Sequence, residues 1–274
     1  AEASVPGSGM AQIRSTGLGI KRAKRYGAFM ATDVDDATSI RDSVTALAEH
    51  NDEIKVILTG IIDFDAGAVT DEPQFTLDEA RLVVQTARAC SRNTMVHCSG
   101  SKGLAIAAAA GVGSIEHGFF MSREYLAVMA SNGVAWTPTF CPVHFQWAQP
   151  QIVGWKPQTV GNLRRILDDH ARHLLMARDM GVQLLLGTDA GSMGVPHGQA
   201  LFDEVDRYLE AGLPMLDTLR AATSSARRHF GQAFTTLCPG SPFDAVLLAS
   251  DPFVAPQALR RPARVWPAPP TPML

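Results

Sequence analysis

With 274 residues and 46% hydrophobic content, the chain has material for one large α/β domain or two small ones, and for a sizeable buried core. A formal net charge of −3 and the lack of an RNA-binding signature give no support to a nucleic-acid partner, which leaves a small-molecule substrate as the better fit. The cysteines Cys90, Cys98, Cys141 and Cys238 are widely spaced, and no run approaches the roughly 20 apolar residues of a membrane span, so the chain reads as a reduced, cytoplasmic protein without a membrane partner.

In chain order, 11–15 reads as a strand, followed by a Gly/Lys/Arg-rich loop to Gly27 and a helix over 37–50. From Ile54 onward, short β-branched or leucine-rich runs alternate with longer helical stretches. The strand candidates are 56–58, 94–97, 113–116, 134–139 and 182–186, each apolar enough to be covered on both faces, as in a parallel sheet. Thr76-Leu77-Asp78-Glu79 has capping-box form and opens a helix to about Ala89, while Ser122 caps a helix stopping near Gly133. A long helix over 158–180 ends at Gly181, and two more cover 200–210 and 215–230. The segment 140–155 is read as a loop, 243–248 as a strand, and the proline-rich remainder from Pro252 to Pro272 as irregular. About six βα units result, where a closed barrel needs eight. Residues 1–240 are therefore expected to form the barrel domain, and 241–274 the remnant of a small β-domain with its tail. An incomplete barrel leaves open sheet edges, which is compatible with association into a homo-oligomer.

Four chemistry-bearing residues stand at the ends of apolar runs: Lys55 in IKVILTG, His97 in MVHCSG, His117 in SIEHG and Asp189 in LLLGTDAG. In parallel α/β barrels, chemistry is built where strands end. Together with the helix PQFTLDEARLVVQTA and the segments WTPTF, GTDAGSMGVPHG, EAGLPMLDTLRAATSSARRHFG and DAVLLASDP, these motifs resemble the amidohydrolase superfamily, in its imidazolonepropionase-like and dipeptidase-like branch. The resemblance spans most of residues 11–252 and implies a (β/α)8 TIM-type barrel, incomplete at the N-terminus, that hydrolyses a C–N bond in a peptide-like, N-acyl or cyclic amide.

The resemblance further implies that Lys55 is carboxylated by CO2 on its amine to bridge divalent metals, most simply zinc. His97 and His117 would be imidazole ligands to one ion. Asp189 would ligate a second and take the proton from the attacking water. Metal would lower the pKa of that water and polarise the substrate carbonyl. The family's His-x-His pair is missing from this sequence, so one ion, held by Lys55, His97 and His117, is the site these residues can close. Without that pair, a catalytically silent binding or assembly module is the alternative.

Each residue also has a plainer reading. Lys55 could reach solvent, His97 and His117 could be hydrogen-bonded core histidines, and Asp189 could cap a turn. His197, in VPHG, and His144, in TFCPVHFQW, are candidate substrate contacts or ordinary loop residues. Phe64, Asp65, Phe140 and Trp147 are expected to help shape the pocket. His170 and His173, at i,i+3 among charged neighbours, are expected on a solvated helix face. Cys98 is expected to point away from His97 as a small core residue.

Overall fold

The computed structural model describes residues 13–232, 235–239, 241 and 243–266. They fall into two units, one over Ser15–Leu213 and one formed from residues 13–14 and those following Leu213.

The larger unit opens with two short strands, β1 (Gly19–Lys21) and β2 (Ala31–Asp33), then α1 (Ala37–Ala48). It continues with β3 (Glu53–Ile57), α2 (Leu77–Ala89), β4 (Asn93–Cys98), α3 (Ser101–Ala110), β5 (Ser114–His117), α4 (Arg123–Asn132) and β6 (Ala135–Thr137). Helices α5 (Phe140–Ala148), α6 (Pro150–Val153), α7 (Pro157–Asp179) and α8 (Gln199–Glu210) complete it. All the sheet pairings are parallel, in the order β2-β1-β3-β4-β5-β6. Among the described residues this sheet remains open at β2.

Local chemistry explains the firmest elements. At the start of α2, Thr76 Oγ1 accepts from the Glu79 amide while the Glu79 carboxylate accepts from the Thr76 amide, the reciprocal pair that its sequence predicts. Helix α4 starts at Ser122 and ends on left-handed Gly133, also as predicted. Ile54, Ile57, Val96, Cys98 and Ile115 are fully or almost fully buried, consistent with strands covered on both faces.

Several expectations are corrected. Of the strand expected over 11–15, residues 11–12 lie outside the described residues and 13–15 form no strand, while β1 and β2 lie in and beyond the stretch expected as loop. Their sequences, GIK and ATD, carry little apolar pattern, and Lys21 is tolerated in the interior only because its amine meets Asp33 and the Arg22 carbonyl. The run 182–186 forms no strand of its own: it is tied to β6 by Trp136 N to Gln183 O (2.9 Å) and Leu185 N to Trp136 O (2.8 Å), a single bridge at Leu184. The segment after β6 is helical where a loop was expected.

In the second unit, the expected helix over 215–230 breaks at Thr223 into α9 (Met215–Ala222) and α10 (Ser224–His229). Of the stretch expected to be irregular, residues 267–272 lie outside the described residues, and the part before them is not wholly irregular. A 3-10 turn covers Pro256–Arg260, and β8 (Arg264–Trp266) pairs antiparallel with β7 (Ala245–Leu247), because the proline-free stretch after Pro262 keeps its ladder donors. Among the described residues, no helix is long and apolar enough to cross a membrane.

Candidate functional site

Register puts the chemistry on one face. Lys55 pairs with Met95, Ile57 with His97, His97 with Glu116 and Glu116 with Thr137, so Lys55, His97 and Glu116 all project from the same side of the sheet. By strict alternation His117 would point the other way. Its backbone instead turns left-handed (φ 69°), which brings its ring to 4.7 Å from that of His97 in an edge-to-face contact.

That turn is held from below. The Trp136 indole donates to the His117 carbonyl (2.9 Å), and at Gly118 any Cβ would lie 2.3 Å from the same indole nitrogen. Thr139 (φ 50°) and Asp189 (φ 52°) are also left-handed, and both line the same cavity as His117. Three strained non-glycine residues facing one cavity is the signature of a site whose geometry is imposed by its surroundings.

The cavity measures about 530 Å³. Lys55, His97, His117 and Asp189 all contribute to its lining. Burial, only partly offset by Glu116 and Asp189, pulls the Lys55 amine below its ordinary value. Burial, with the neighbouring His117 and Lys55, takes His97 well below the usual imidazole range, and burial followed by Lys55 and His170 brings His117 down to about 3. Both rings are therefore neutral at physiological pH, the state in which an imidazole can ligate. His117 Nδ1 is engaged by Thr139 Oγ1 (2.8 Å), leaving Nε2 free, and His97 Nε2 stands 3.4 Å from the Gly60 carbonyl, leaving Nδ1 free. Ser192 Oγ donates to Asp189 Oδ2 (2.9 Å).

Among the described residues, no three His, Cys, Asp or Glu side chains stand at a separation that would hold a metal ion. The donor set is two neutral imidazoles, one desolvated amine and one carboxylate. It fits a single divalent ion if the amine is converted to a carbamate, and it does not fit a second.

His144 and His197 do not join this group. His144 is half-buried in a neighbouring crevice of about 370 Å³, where its Nε2 accepts from the Arg207 guanidinium and its pKa falls to about 4, through burial first and Arg207 second. His197 is exposed on the loop after Asp189, near Gly191. Of the other residues expected to shape the pocket, Phe64 lines it. Asp65 instead accepts from Thr159, Trp147 lies under the Arg164 guanidinium, and Phe140 packs on His170 and Tyr208.

His170 is not on a solvated face. It is almost fully buried, stacks on Phe119 (4.0 Å) and has its Nε2 2.9 Å from the Pro138 carbonyl. Cys98 is buried as expected, and loss of hydration raises its thiol pKa far above normal.

Three further residues contribute to the site. Glu116, the residue before His117, is a buried carboxylate on the site's face. Tyr26 comes from the loop between β1 and β2, its ring 5.3 Å from that of His97. Gln74 anchors that loop by donating from Nε2 to the Tyr26 carbonyl (3.0 Å) and accepting at Oε1 from the Arg22 amide (2.9 Å). A tyrosine before a glycine was the only available signal for Tyr26, and nothing local marked Gln74.

A parallel βα repeat with its cavity at the carboxyl ends of the strands is the arrangement of proteins of the TIM-barrel class. The chain belongs to the amidohydrolase family, whose sequence profile matches residues 11–269. It is 27% identical over 251 residues to an uncharacterized protein of Mycobacterium tuberculosis, covering 92% of this chain and 66% of that one. It is 28% identical over 182 residues to the ochratoxinase of Aspergillus niger, covering 65% of this chain and 37% of the enzyme. Among solved structures, it is similar to that ochratoxinase (TM-score 0.78, 20% identity, 93% of this chain and 64% of the other). It is also similar to a Xaa-Pro dipeptidase solved with methionine in its active site (TM-score 0.75, 24% identity, 94% and 68%). The chain thus spans just under two thirds of the length of the mycobacterial relative, at 66%.

Proposed function

We propose that this chain carries the greater part of a hydrolytic centre that cleaves an amide C–N bond of a small-molecule substrate with a metal-activated water. One observation carries the reading: Lys55, His97, His117 and Asp189, widely separated in sequence, line a single cavity, two of them with left-handed backbones. Lys55, His97 and His117 would hold the ion. A divalent ion bound there supplies Lewis acidity, polarising the scissile carbonyl and acidifying water.

The remaining work falls to the chain itself. Burial lowers the basicity of the Lys55 amine, against the opposing pull of Glu116 and Asp189, and so favours the unprotonated form that adds CO2. Thr139 engages Nδ1 of the His117 ring, so that Nε2 is the nitrogen that would be available to an ion. Asp189 has one carboxylate oxygen occupied by Ser192, which leaves Oδ1 to receive the proton of the attacking water and pass it to the leaving nitrogen.

A second reading, a scaffold that binds without cleaving, is favoured by the lack of three His, Cys, Asp or Glu at metal-holding separation among the described residues. Protein prepared with zinc and bicarbonate separates the two. The hydrolytic reading expects about one equivalent of tightly bound metal per chain, lost in Lys55→Ala and His117→Ala, and turnover of at least one member of a panel of N-acyl amino acids, dipeptides, cyclic amides and neutral amides. Metal content that is absent, or unchanged in both variants, overturns it. Stoichiometric metal with the whole panel untouched favours the silent scaffold.

A further inference from the structure

The stretch from the last residue of β1 up to the start of β2, which walls one side of the cavity, has the sequence KRAKRYGAFM, with four cations in five residues at 21–25. Such a loop could clamp a substrate carboxylate, yet none of these cations is among the residues lining the cavity. Lys21 is buried against Asp33. Arg22 reaches the Val34 carbonyl (2.9 Å), the Gln74 carbonyl (3.2 Å) and Glu79, and Arg25 donates to the Glu72 carbonyl. The same loop sends its apolar members, Tyr26, Phe29 and Met30, toward the cavity. Ile61 and Phe64 face it from the loop after β3, and Val143 from α5.

Among the described lining residues, charge is confined to the carboxyl-end group already assigned. Lys55 is the only basic side chain there apart from the two neutral histidines, and Glu116 and Asp189 act on it electrostatically. A carboxylate on the wall side would give up part of its hydration with no free cation beside it among the described lining residues, and would face Asp189. An aryl or alkyl group would gain by burying its surface against the same wall.

The wall is also preformed. Gln74 is buried and ties the first loop to the sheet, its backbone N–H donating to the Leu58 carbonyl (2.7 Å). Asn162 of α7 grips the second loop through Nδ2, which donates to the carbonyls of Phe64 and Asp65, both at 2.9 Å. Walls held by buried side chains keep their chemistry when a ligand arrives.

We propose that the cavity selects neutral, apolar amides, with an aryl or branched alkyl group on the wall side, over amides that carry a free carboxylate. This rests on the hydrolytic reading for the reaction, but the selectivity concerns binding and is measured separately. The probes are N-benzylbenzamide and N-benzoylglycine, which share a benzoyl amide and differ in the carboxylate, with affinities taken from saturation-transfer NMR and calorimetry on the full chain. The neutral probe is expected to bind about tenfold tighter or more. Ile61→Arg, at an exposed rim position that should not perturb folding, is expected to narrow that ratio by raising affinity for N-benzoylglycine. Equal or tighter binding of N-benzoylglycine by the unaltered chain, or binding of neither probe, overturns the proposal. Cleavage of N-benzoylglycine with the neutral amide untouched overturns it while leaving the hydrolase reading standing. Selective binding of the neutral probe supports it even if no amide is turned over, an outcome that would count against hydrolysis alone.

Discussion

His170 shows how a single buried imidazole can couple this protein to pH. It lies between Phe119, Trp136 and Phe140, and burial brings its pKa down to about 3. Its folded-state value lies below the unfolded one near 6.5, so its contribution to stability is complete above about pH 6.5 and is lost as pH falls toward 3. Urea unfolding at pH 7.5 and 4.5 should show the acid-induced loss shrinking by on the order of 2 kcal/mol in His170→Phe. At pH 7.5 the same variant should be weaker by about 1 kcal/mol, because the Pro138 carbonyl loses its donor. An unchanged acid slope would show that His170 does not stay neutral in the folded chain. In sequence this residue looked solvated because Arg164, Arg165, Asp168 and Asp169 surround it, but those neighbours occupy other faces of the same helix. Lys55, His97, His117 and Asp189 were legible as candidates because each ends an apolar run, whereas the left-handed turn that aims His117 inward has no local signature.

At the scale of elements, α5 illustrates a cap supplied from a distance. Its own N-cap residue, Thr139, makes no side-chain capping bond. Glu204 of α8 does the work instead, accepting from the amides of Phe140 (2.7 Å) and Cys141 (2.9 Å). Glu204 is completely buried, and that burial, countered by its hydrogen bonds with Cys141 and Phe140 and by Arg207, raises its pKa to about 7. Here the sign is reversed: the native state holds the proton more tightly than the unfolded chain. The associated stability is present below about pH 4.5 and is lost as pH rises through about 7. Glu204→Ala is expected to destabilise by about 1–3 kcal/mol through the two orphaned amides, and Glu204→Gln to cost less while removing that decline. Thermal melts from pH 5 to 8 measure both, and a decline that survives in Glu204→Gln would refute the assignment. This also explains why 140–155 read as a loop. A helix beginning FCPV without its own cap gives no start signal when the cap lies more than sixty residues away.

Across the molecule, hydrogen bonding is unevenly distributed. Strands β3, β4 and β5 form continuous ladders, and Ile54, Ile57 and Ile115 among them are fully buried. The β7–β8 ribbon has two strands, with Val246, Leu247 and Val265 each more than half exposed. An isolated two-stranded ribbon is marginal in water. Hydrogen–deuterium exchange should find the β3–β5 amides the slowest in the chain and those of β7 and β8 faster by at least about tenfold, since the former open only with the whole unit. Equal protection of the two sets would show that the ribbon is sustained by contacts beyond its own pair.

The sequence by itself determined the βα alternation, the capped ends of α2 and α4, the family, and the four residues that end apolar runs. All of these depend on neighbours within a few positions, where hydrophobic period, caps and short motifs act. Only the tertiary structure decided that β1 and β2 join the sheet on so little apolar pattern, that Glu204 caps α5, and that the cations at 21–25 stay out of the cavity lining while Tyr26, Phe29 and Met30 belong to it. Those outcomes rest on partners far apart in the chain, Asp33, Glu79, Gln74 and Asn162 among them, whose burial and hydrogen bonding no local window contains.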